Sequence, residues 1–578
     1  MRAPLPAAFA RAASRRAAVL FAAALLPELS AAGETYLQKV AAKLSEEEFA
    51  RLPEAAGLRF LKEPECRLAS GDRIVGSARG AVLEPRAGGR PEPFPSDRLL
   101  PWPEVTAIAE EAPGVVWIGT TRGAVRCDRR GGRTELEYFS GKRWLLDDRV
   151  SGIAIEGAGR GAWIATPGGI SRIEYRPMRL VDKARAFEER LRARHVRHGL
   201  VASSSLRVPG DLATSRARSS DNDGLWTAIY VAAECFRHRV TGEREAREYA
   251  RESMRALLRL EEITGIPGFP ARSFIRAGEE ERPADGEWHP SADGKWLWKG
   301  DTSSDEIVGH FFAHAVYWEL VAEEEERPAL RGALGRIASH ILDHGYHLVD
   351  ADGKPTRWGW WAPEEIRRNP DEMGLRALEM LSHLRVAHRV TGEPRFLAAY
   401  EELARKEGYA VWTLHQKVNV PGAVNHSDDQ LAFLSYYPLL LPETDPELRA
   451  VYLESLERSW QVERPERNPL WNLIRAACTR KPDPDARATL ETLSRIPLDL
   501  VDWTVVNSHR ADVPRDPLPG RFGEAQALAV LPPEERPAAK WNANPYALDG
   551  GSGGASEDDG AYFLLPYWLG RYHGLIGE

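Results

Sequence analysis

The pattern of apolar and polar positions changes near residue 180. Before it, short β-branched and aromatic runs are broken by Gly and Asp, a pattern typical of strands. From Leu180 onward, longer apolar segments alternate with amphipathic ones, which predicts helices. A chain of 578 residues also exceeds the size of one ordinary core. We therefore expect an all-β module over 33–177 and a helical domain over 178–578.

The predicted helices come in pairs. Six segments are apolar nearly all round and are expected to be buried: 225–236, 307–321, 375–387, 430–441, 471–478 and 561–576. The first five are each followed by a predicted outer helix, such as the one with Leu330, Leu334, Ile337 and Ile341 on one face. The sixth is matched with 182–196. Six such hairpins predict a mainly α fold, an (α/α)6 toroid preceded by the small β module.

A duplication within the helical part favours this arrangement. Asp221-x-x-Gly224-Leu225 and HRVTGE at 238–243 recur as Asp371-x-x-Gly374-Leu375 and HRVTGE at 388–393, both at an offset of 150 residues. In overall architecture the helical part resembles the six-hairpin glycosidase superfamily. That resemblance implies an enzyme acting on carbohydrate, although no particular family's catalytic motif is matched.

The β part also repeats. Residues 105–123 recur as 150–169 with Trp117 matched to Trp163, a period of 46 residues, and 74–82 is a degenerate earlier copy. This period predicts propeller-like blades. WIGTTRGAVRCD and YFSGKRWLLDDRV resemble the propeller repeats of two-component-regulator sensor domains. Because the resemblance covers about 55–177 only, we expect a partial propeller-like module.

The N-terminal segment predicts export. Arg11, Arg15 and Arg16 precede the apolar run 17–26, and small residues lead up to Gly33, so residues 1–32 have the pattern of a cleaved signal peptide. The apolar run is too short to span a bilayer. Ser14-Arg15-Arg16 also resembles part of a twin-arginine signal. We expect a periplasmic or secreted protein with no membrane span after processing.

Charge and cysteine content exclude other classes. The formal charge of -8 argues against nucleic acid as a partner. The four cysteines form no CxxC pair, and no phosphate-binding or dinucleotide-binding motif is present. We expect neither a cofactor nor a bound metal.

The candidate chemistry lies in acidic turns that precede the apolar helices. Four turns, at 221–224, 300–306, 425–429 and 556–560, carry more carboxylates than helix capping requires, even though Ser303 and Glu306 have capping-box spacing. Parallel inner helices would bring these turns to one mouth. The catalytic candidates are Asp223, Asp305, Glu306, Asp429 and one of Asp558 and Asp559.

Three functions remain open. Glycoside hydrolysis needs two carboxyl groups about 5–10 Å apart, which the mouth offers. Toroidal polysaccharide lyases use His and Tyr with Asn, and Asn425-His426 resembles part of such a set. Tyr436 and Tyr437 lie ~15 Å along the helix, so the tyrosine would come from another loop. The third possibility is a non-catalytic saccharide-binding or sensory protein.

The remaining candidates concern the mouth and its loops. Glu306, His310 and His314 are spaced to form one stripe, predicted to face the lumen, and His310 joins the catalytic candidates. An oligo- or polysaccharide is the expected partner. Its predicted binding residues are three tryptophans and two polar side chains: Trp226, Trp298, Trp358, Asp301 and Asn425.

Overall fold

The computed structural model describes residues 35–157, 159, 161–278, 282–417, 424–537, 540 and 542–577. The predicted signal peptide, 1–32, lies outside these residues and stays a prediction. Within the described residues, the search for helices long and apolar enough to cross a membrane finds none.

The described residues between 36 and 178 form three four-stranded antiparallel sheets and a short α-helix, α1 (Glu46–Ala50). The strands are β1 (Tyr36–Leu44), β2 (Glu65–Arg67), β3 (Arg73–Ser77), β4 (Gly80–Glu84), β5 (Glu92–Phe94), β6 (Val105–Ala112), β7 (Val115–Thr120), β8 (Gly123–Asp128), β9 (Glu135–Phe139), β10 (Gly152–Ile155), β11 (Gly161–Thr166) and β12 (Gly169–Met178). Strands β2 to β5 form the first sheet and β6 to β9 the second, while β10 to β12 are completed by β1, which pairs with β12 along its whole length.

The sequence repeat has a physical cause in the second and third sheets. In each, a buried tryptophan donates its indole N–H to a glutamate that also pairs with an arginine of the next strand. The triads are Trp117, Glu111 and Arg126 in the second sheet and Trp163, Glu156 and Arg172 in the third. The sequence repeat therefore corresponds to one tryptophan–glutamate–arginine contact in each of these two sheets.

From residue 180 onward the described chain is mainly helical, with small sheets of two or three short strands in its loops. The helices are α2 (Leu180–Arg194), α3 (Asp223–Thr241), α4 (Arg244–Glu262), α5 (Ser304–Leu320), α6 (Arg327–Asp343), α7 (Pro363–Arg368), α8 (Met373–Thr391), α9 (Pro394–Glu401), α10 (Tyr409–Trp412), α11 (His426–Leu440), α12 (Pro446–Glu463), α13 (Pro469–Thr479), α14 (Ala486–Arg495) and α15 (Ala561–Tyr572). The strands are β13 (Val196–Arg197), β14 (Leu200–Val201), β15 (Ser203–Leu206), β16 (Ser215–Arg218), β17 (Phe274–Arg276), β18 (Trp288–Pro290), β19 (Trp296–Lys299), β20 (His347–Val349), β21 (Pro355–Trp360), β22 (Val505–Val506), β23 (Asp549–Gly550) and β24 (Ser556–Glu557).

The six apolar segments coincide with α3, α5, α8, α11, α13 and α15. In that order each helix contacts the next, and α15 contacts α3. The amphipathic helices α4, α6, α9, α12, α14 and α2 pack on them in the same order. Most of the large apolar core lies between these two sets of helices.

The duplicated HRVTGE segments form the same helix end twice. Gly242 and Gly392 follow α3 and α8 in the left-handed conformation, with φ of 72° and 77°. The histidine of each copy, His238 or His388, contacts the carbonyl oxygen of the glutamate after the glycine. A side chain at either glycine would strain this turn, so the repeat encodes a helix stop.

The β part packs directly on the helical part through β1. The Lys183 ammonium of α2 is buried and donates to Gln38 Oε1 at 2.7 Å and to the carbonyl oxygens of Leu493 and Ser494 at 3.0 and 2.8 Å. Burial lowers the pKa of Lys183 well below its usual range. This one side chain therefore joins β1 to α2 and α14.

Candidate functional site

The acidic turns lie at one end of the helical part, here called the N-terminal face. Asn222 Nδ2, before α3, donates to Asp305 Oδ1 of α5 at 3.3 Å. Lys540 lies 4.7 Å from the Trp226 ring of α3 and pairs with Asp559, before α15, at 3.0 Å. The N-terminal ends of α3, α5 and α15 therefore lie near one another, and their dipoles together make this end electropositive.

Arg272 holds the first two turns together. Its guanidinium donates to the carbonyl oxygen of Asp221 at 2.7 Å, to Asn222 Oδ1 at 2.8 Å and to the carbonyl oxygen of Asp301 at 3.2 Å. Sequence reasoning did not identify Arg272, because its partners lie in two loops distant in the chain.

Asp223 belongs to the interior. Oδ2 accepts hydrogen bonds from Arg197 at 3.1 Å and Ser273, while Oδ1 accepts from the backbone and hydroxyl of Ser220. The side chain is fully buried. Asp223 is thus a structural carboxylate that neutralises a buried guanidinium.

Glu306 closes the capping box predicted for α5. Oε2 accepts from the Ser303 backbone N–H at 3.2 Å and the Ser303 hydroxyl at 2.7 Å, and the residue has 0% exposure. Oε1 accepts no hydrogen bond from the residues that the structure describes. Burial raises the pKa of Glu306 to about 8. A buried, protonated carboxyl in a cap explains this residue without substrate.

The histidines of α5 are core residues. His310 and His314 are buried, and burial lowers their pKa values to about 3 and 4. Glu306 packs against Gly224 of α3, and the Glu261 carboxylate of α4 acts on His314. The stripe predicted to face the lumen is therefore buried: its first residue packs against α3, and both imidazoles are enclosed in the interior in the neutral form.

Asp305, by contrast, is only partly buried. Its Oδ1 accepts from Asn222 Nδ2, and the Ser303 hydroxyl oxygen lies 2.8 Å from its Oδ2. Asp305 is therefore held in place by polar neighbours and remains partly accessible.

A buried guanidinium connects Asp305 to two further helices. Arg376 of α8 donates to Glu372 Oε2 at 3.1 Å and to the carbonyl oxygen of Trp358 at 3.1 Å. Burial opposes the charge of Arg376, yet four nearby carboxylates raise its pKa: Glu379, Glu372, Asp428 and Asp305. The charges of acids on α5 and α11 therefore act on this cation of α8, whereas its direct contacts are with Glu372, Glu379 and the Trp358 carbonyl.

Asp428 occupies the α11 side of this group. It is partly buried, and its Oδ1 accepts from Asn425 Nδ2 at 2.6 Å. Burial and then the Glu372 charge raise the pKa of Asp428 to about 8. Its carboxyl group is protonated at neutral pH and still reachable from solvent.

The neighbouring Asp429 is enclosed by an ion-pair network. The Lys417 ammonium lies 2.7 Å from Asp429 Oδ2 and 2.5 Å from Glu463 Oε1, and His426 Nδ1 lies 3.1 Å from Glu466 Oε1. One donor atom from each acid and from the histidine fits within 4.8 Å of the others, which is metal-site spacing. Lys417 already supplies the positive charge between Asp429 and Glu463, so these residues are explained as a salt-bridge cluster.

Before α15, the two aspartates differ. Asp559 is buried, accepts from the Ala561 backbone N–H at 2.7 Å and pairs with Lys540. Burial opposes its ionisation, but Lys540 and this N–H keep the pKa of Asp559 below its usual value, whereas burial raises that of Asp558. Asp559 is therefore a paired cap residue, and Asp558 is the more accessible acid.

The proposed saccharide contacts are dispersed. Trp298 is 2% exposed and stacks on His289 at 4.4 Å between ring centroids, so its ring belongs to a loop core rather than to an open surface. Trp358 is 47% exposed, and Trp226 is partly exposed beneath Lys540. Of these three indoles, Trp358 is the most accessible.

Asp301 and Asn425 shape the turns themselves. Asp301 has a φ of 50°, and its Oδ1 accepts from the Arg357 backbone N–H at 3.0 Å. The side-chain amide of Asn425 donates to Asp428 Oδ1. Of the two, Asn425 lies beside the accessible acid, whereas Asp301 fixes a strained turn.

The sequence prediction missed Arg376, Glu379 and Asp428 as a group. Arg376 and Glu379 lie within the apolar segment of α8, where charged residues at core positions were a usable signal. Trp361 Nε1 donates to Glu379 Oε2 at 2.7 Å, which explains why this acid is buried there.

Comparisons with known proteins add little. No family model and no curated protein matches the chain. A search of solved structures finds a similarity to the crystal structure of a family 76 glycoside hydrolase from a bovine Bacteroides thetaiotaomicron strain, at 9% identity and a TM-score of 0.23, covering 63% of this chain and 88% of that chain. An overlap this weak bears on neither fold nor activity, and the functional assignment depends on the side chains themselves.

Proposed function

We propose that this protein is a glycoside hydrolase whose reacting carboxyl groups are Asp428 and Asp305. The observation that supports this is that both acids are partly exposed in the first turns of α5 and α11, two helices that contact each other, and that both charges act on the buried Arg376 guanidinium. Such acids in unlike environments can divide the roles of acid and base.

In the proposed reaction, the protonated Asp428 donates its proton to the glycosidic oxygen as the bond to the leaving sugar breaks. The Asp305 carboxylate either activates a water or attacks the anomeric carbon, according to the stereochemistry. Arg376, held by Glu372 and by the Trp358 carbonyl, is fixed before substrate binds. Its positive charge is therefore already in place when substrate binds.

The surrounding architecture is proposed with it. The closed order of helix contacts supports an (α/α)6 toroid, and the three sheets with their repeated triads support a partial propeller-like module. We further propose export by the N-terminal signal, to the periplasm or the exterior, where an extracellular saccharide would be the substrate and Trp358 and Trp226 would stack on its rings.

The test is turnover of a polysaccharide panel, measured as new reducing ends, by the wild type and three variants. Asp428→Asn and Asp305→Asn are expected to abolish hydrolysis with the fold retained by circular dichroism. Glu306→Gln, a carboxyl of similar raised pKa but buried in the cap, is the matched control and should stay active. Full activity of either aspartate variant would disprove the assignment.

A lyase is the second candidate, because His426 and Tyr546 come together from separate loops with ring centroids 6.5 Å apart. The acids around His426, Asp429 and Glu466, would however repel a uronate carboxylate. Polygalacturonate and alginate, assayed by the ultraviolet absorbance of unsaturated products, would reveal a lyase. That activity should then disappear in His426→Ala and Tyr546→Phe.

The non-catalytic alternative predicts a different outcome of the same panel. A saccharide-binding or sensory protein would bind at least one polymer but release no reducing ends and no unsaturated product.

A further inference from the structure

One turn holds an aromatic ring in solvent. Phe522 is 88% exposed, more than any other large hydrophobic residue in the described part of the chain. Single exposed apolar residues are common and need no explanation alone. What singles out Phe522 is the ordering of the backbone beneath it.

The turn 520–524 is built around Glu524. Its Oε2 accepts the Phe522 backbone N–H at 2.9 Å, and its carbonyl oxygen accepts the Gly520 N–H at 2.9 Å. A side chain at Gly520 would place its Cβ 2.2 Å from Glu524 Oε1, so the Glu524 carboxylate would have to move and its contact with the Phe522 N–H would be disturbed. The ring is therefore presented by a fixed backbone, which reduces the entropy cost of using it for binding.

The same turn adjoins the N-terminal face. Glu524 Oε1 accepts from Asn544 Nδ2 at 2.7 Å, and the Ala527 N–H donates to the Tyr546 carbonyl oxygen at 2.9 Å. Tyr546 in turn neighbours His426 at the start of α11. Burial lowers the pKa of His426, and the Glu524 carboxylate acts on it in the opposite direction.

We propose that Phe522 is a stacking platform for a sugar ring of the substrate, outside the reacting pair; this rests on the proposed function. An exposed aromatic face suits the C–H face of a pyranose, and the Arg521 guanidinium, 5.8 Å from the ring centroid, offers donors to its hydroxyls. Trp358 adjoins α8 and Phe522 adjoins α11, so the substrate class is an extended oligo- or polysaccharide that contacts both rings.

The experiment compares Phe522→Ala and Phe522→Trp with Leu99→Ala, which removes a 64% exposed side chain from the β part. Retardation is measured by affinity electrophoresis in gels containing xylan, β-glucan, amylose, mannan or polygalacturonate. We expect at least one polymer to retard the wild type and Leu99→Ala equally. Phe522→Ala should bind it about 2–10-fold more weakly, the effect of losing one aromatic contact, and Phe522→Trp should restore binding.

Equal retardation of Phe522→Ala and wild type would overturn the proposal, as would a wild type that no gel retards. So would a dimer, found by analytical ultracentrifugation, that Phe522→Ala dissociates without changing retardation, because the ring would then contact a second copy. The two proposals fail separately. Phe522-dependent binding without any cleavage would refute only the hydrolase, whereas cleavage with an unchanged KM in Phe522→Ala would refute only the platform.

Discussion

The starts of α5 and α11 have similar sequences but place their acids differently. At α5, Ser303 and Glu306 satisfy each other and are buried. At α11, the residue before the helix, Asn425, makes no cap contact with its side chain and donates to Asp428 instead. Capping at α5 therefore accounts for the buried acid, whereas at α11 a protonated acid is left accessible. The composition of a turn does not distinguish these outcomes; hydrogen-bond partners do.

The largest effect that separates the two turns is expected for Asp428→Asn. General acid catalysis contributes about 10²–10⁴-fold, so kcat should fall by that factor on a substrate with a poor leaving group. The free energy of unfolding should stay unchanged or rise at pH 8, since the cost of a buried charge is removed. A substrate with an activated aryl leaving group, which needs little protonation, should recover much of the rate; no such recovery would argue against the acid role.

The pH dependence should differ in the same way. Activity requires the protonated Asp428, so kcat is expected to fall about tenfold per unit above the group's pKa of about 8. A pH–rate profile of the wild type measures this limb. If Asp428→Asn keeps some residual activity and its pH–rate profile shows the same fall in kcat at high pH, another group is responsible for that fall.

The free energy of unfolding should depend on pH because of Glu306. The pKa of this residue rises from about 4.5 to about 8 on folding, so the folded state holds the proton more tightly. The stability that Glu306 contributes is fully present below its pKa in the unfolded state, and it is lost as the pH rises through its pKa in the folded state. Denaturant unfolding between pH 5 and 9 should show a flatter profile for Glu306→Gln than for the wild type, and parallel profiles would contradict this origin.

A smaller effect is expected for Ser303→Ala, which removes the hydroxyl donor to Glu306 and Asp305. Loss of a helix cap costs about 1 kcal/mol. Thermal unfolding should detect it, while Asn425→Ala, whose side chain makes no cap contact, should change the melting temperature less. A larger loss in Asn425→Ala would reverse the contrast between the turns.

The smallest effect is expected for Trp358→Ala. An exposed aromatic contact is worth about 0.5–1.5 kcal/mol, so KM should rise about 2–10-fold with kcat nearly unchanged. Trp298→Phe, which changes a buried ring, should affect the melting temperature rather than KM.

The sequence was sufficient to locate the helices and the acidic turns, because apolar periodicity and carboxylate spacing are local properties. Asp305 and Asp429 were identified, but their difference in burial was not, since it depends on Arg376 and Lys417 from distant segments. Likewise, the sequence alone did not distinguish Trp298 from Trp358. In the structure His289 packs on Trp298, which is buried, whereas Trp358 stays exposed.

The full-length pairing of β1 with β12 bears on how the chain is assembled. Residues 36–44 are made before their partner, 169–178, so β1 keeps an open edge until more than a hundred further residues have left the ribosome. An open edge invites pairing with other chains. Deleting 36–44 would leave β12 in that condition permanently, so the deleted protein should aggregate even though every residue of the proposed catalytic site is still present.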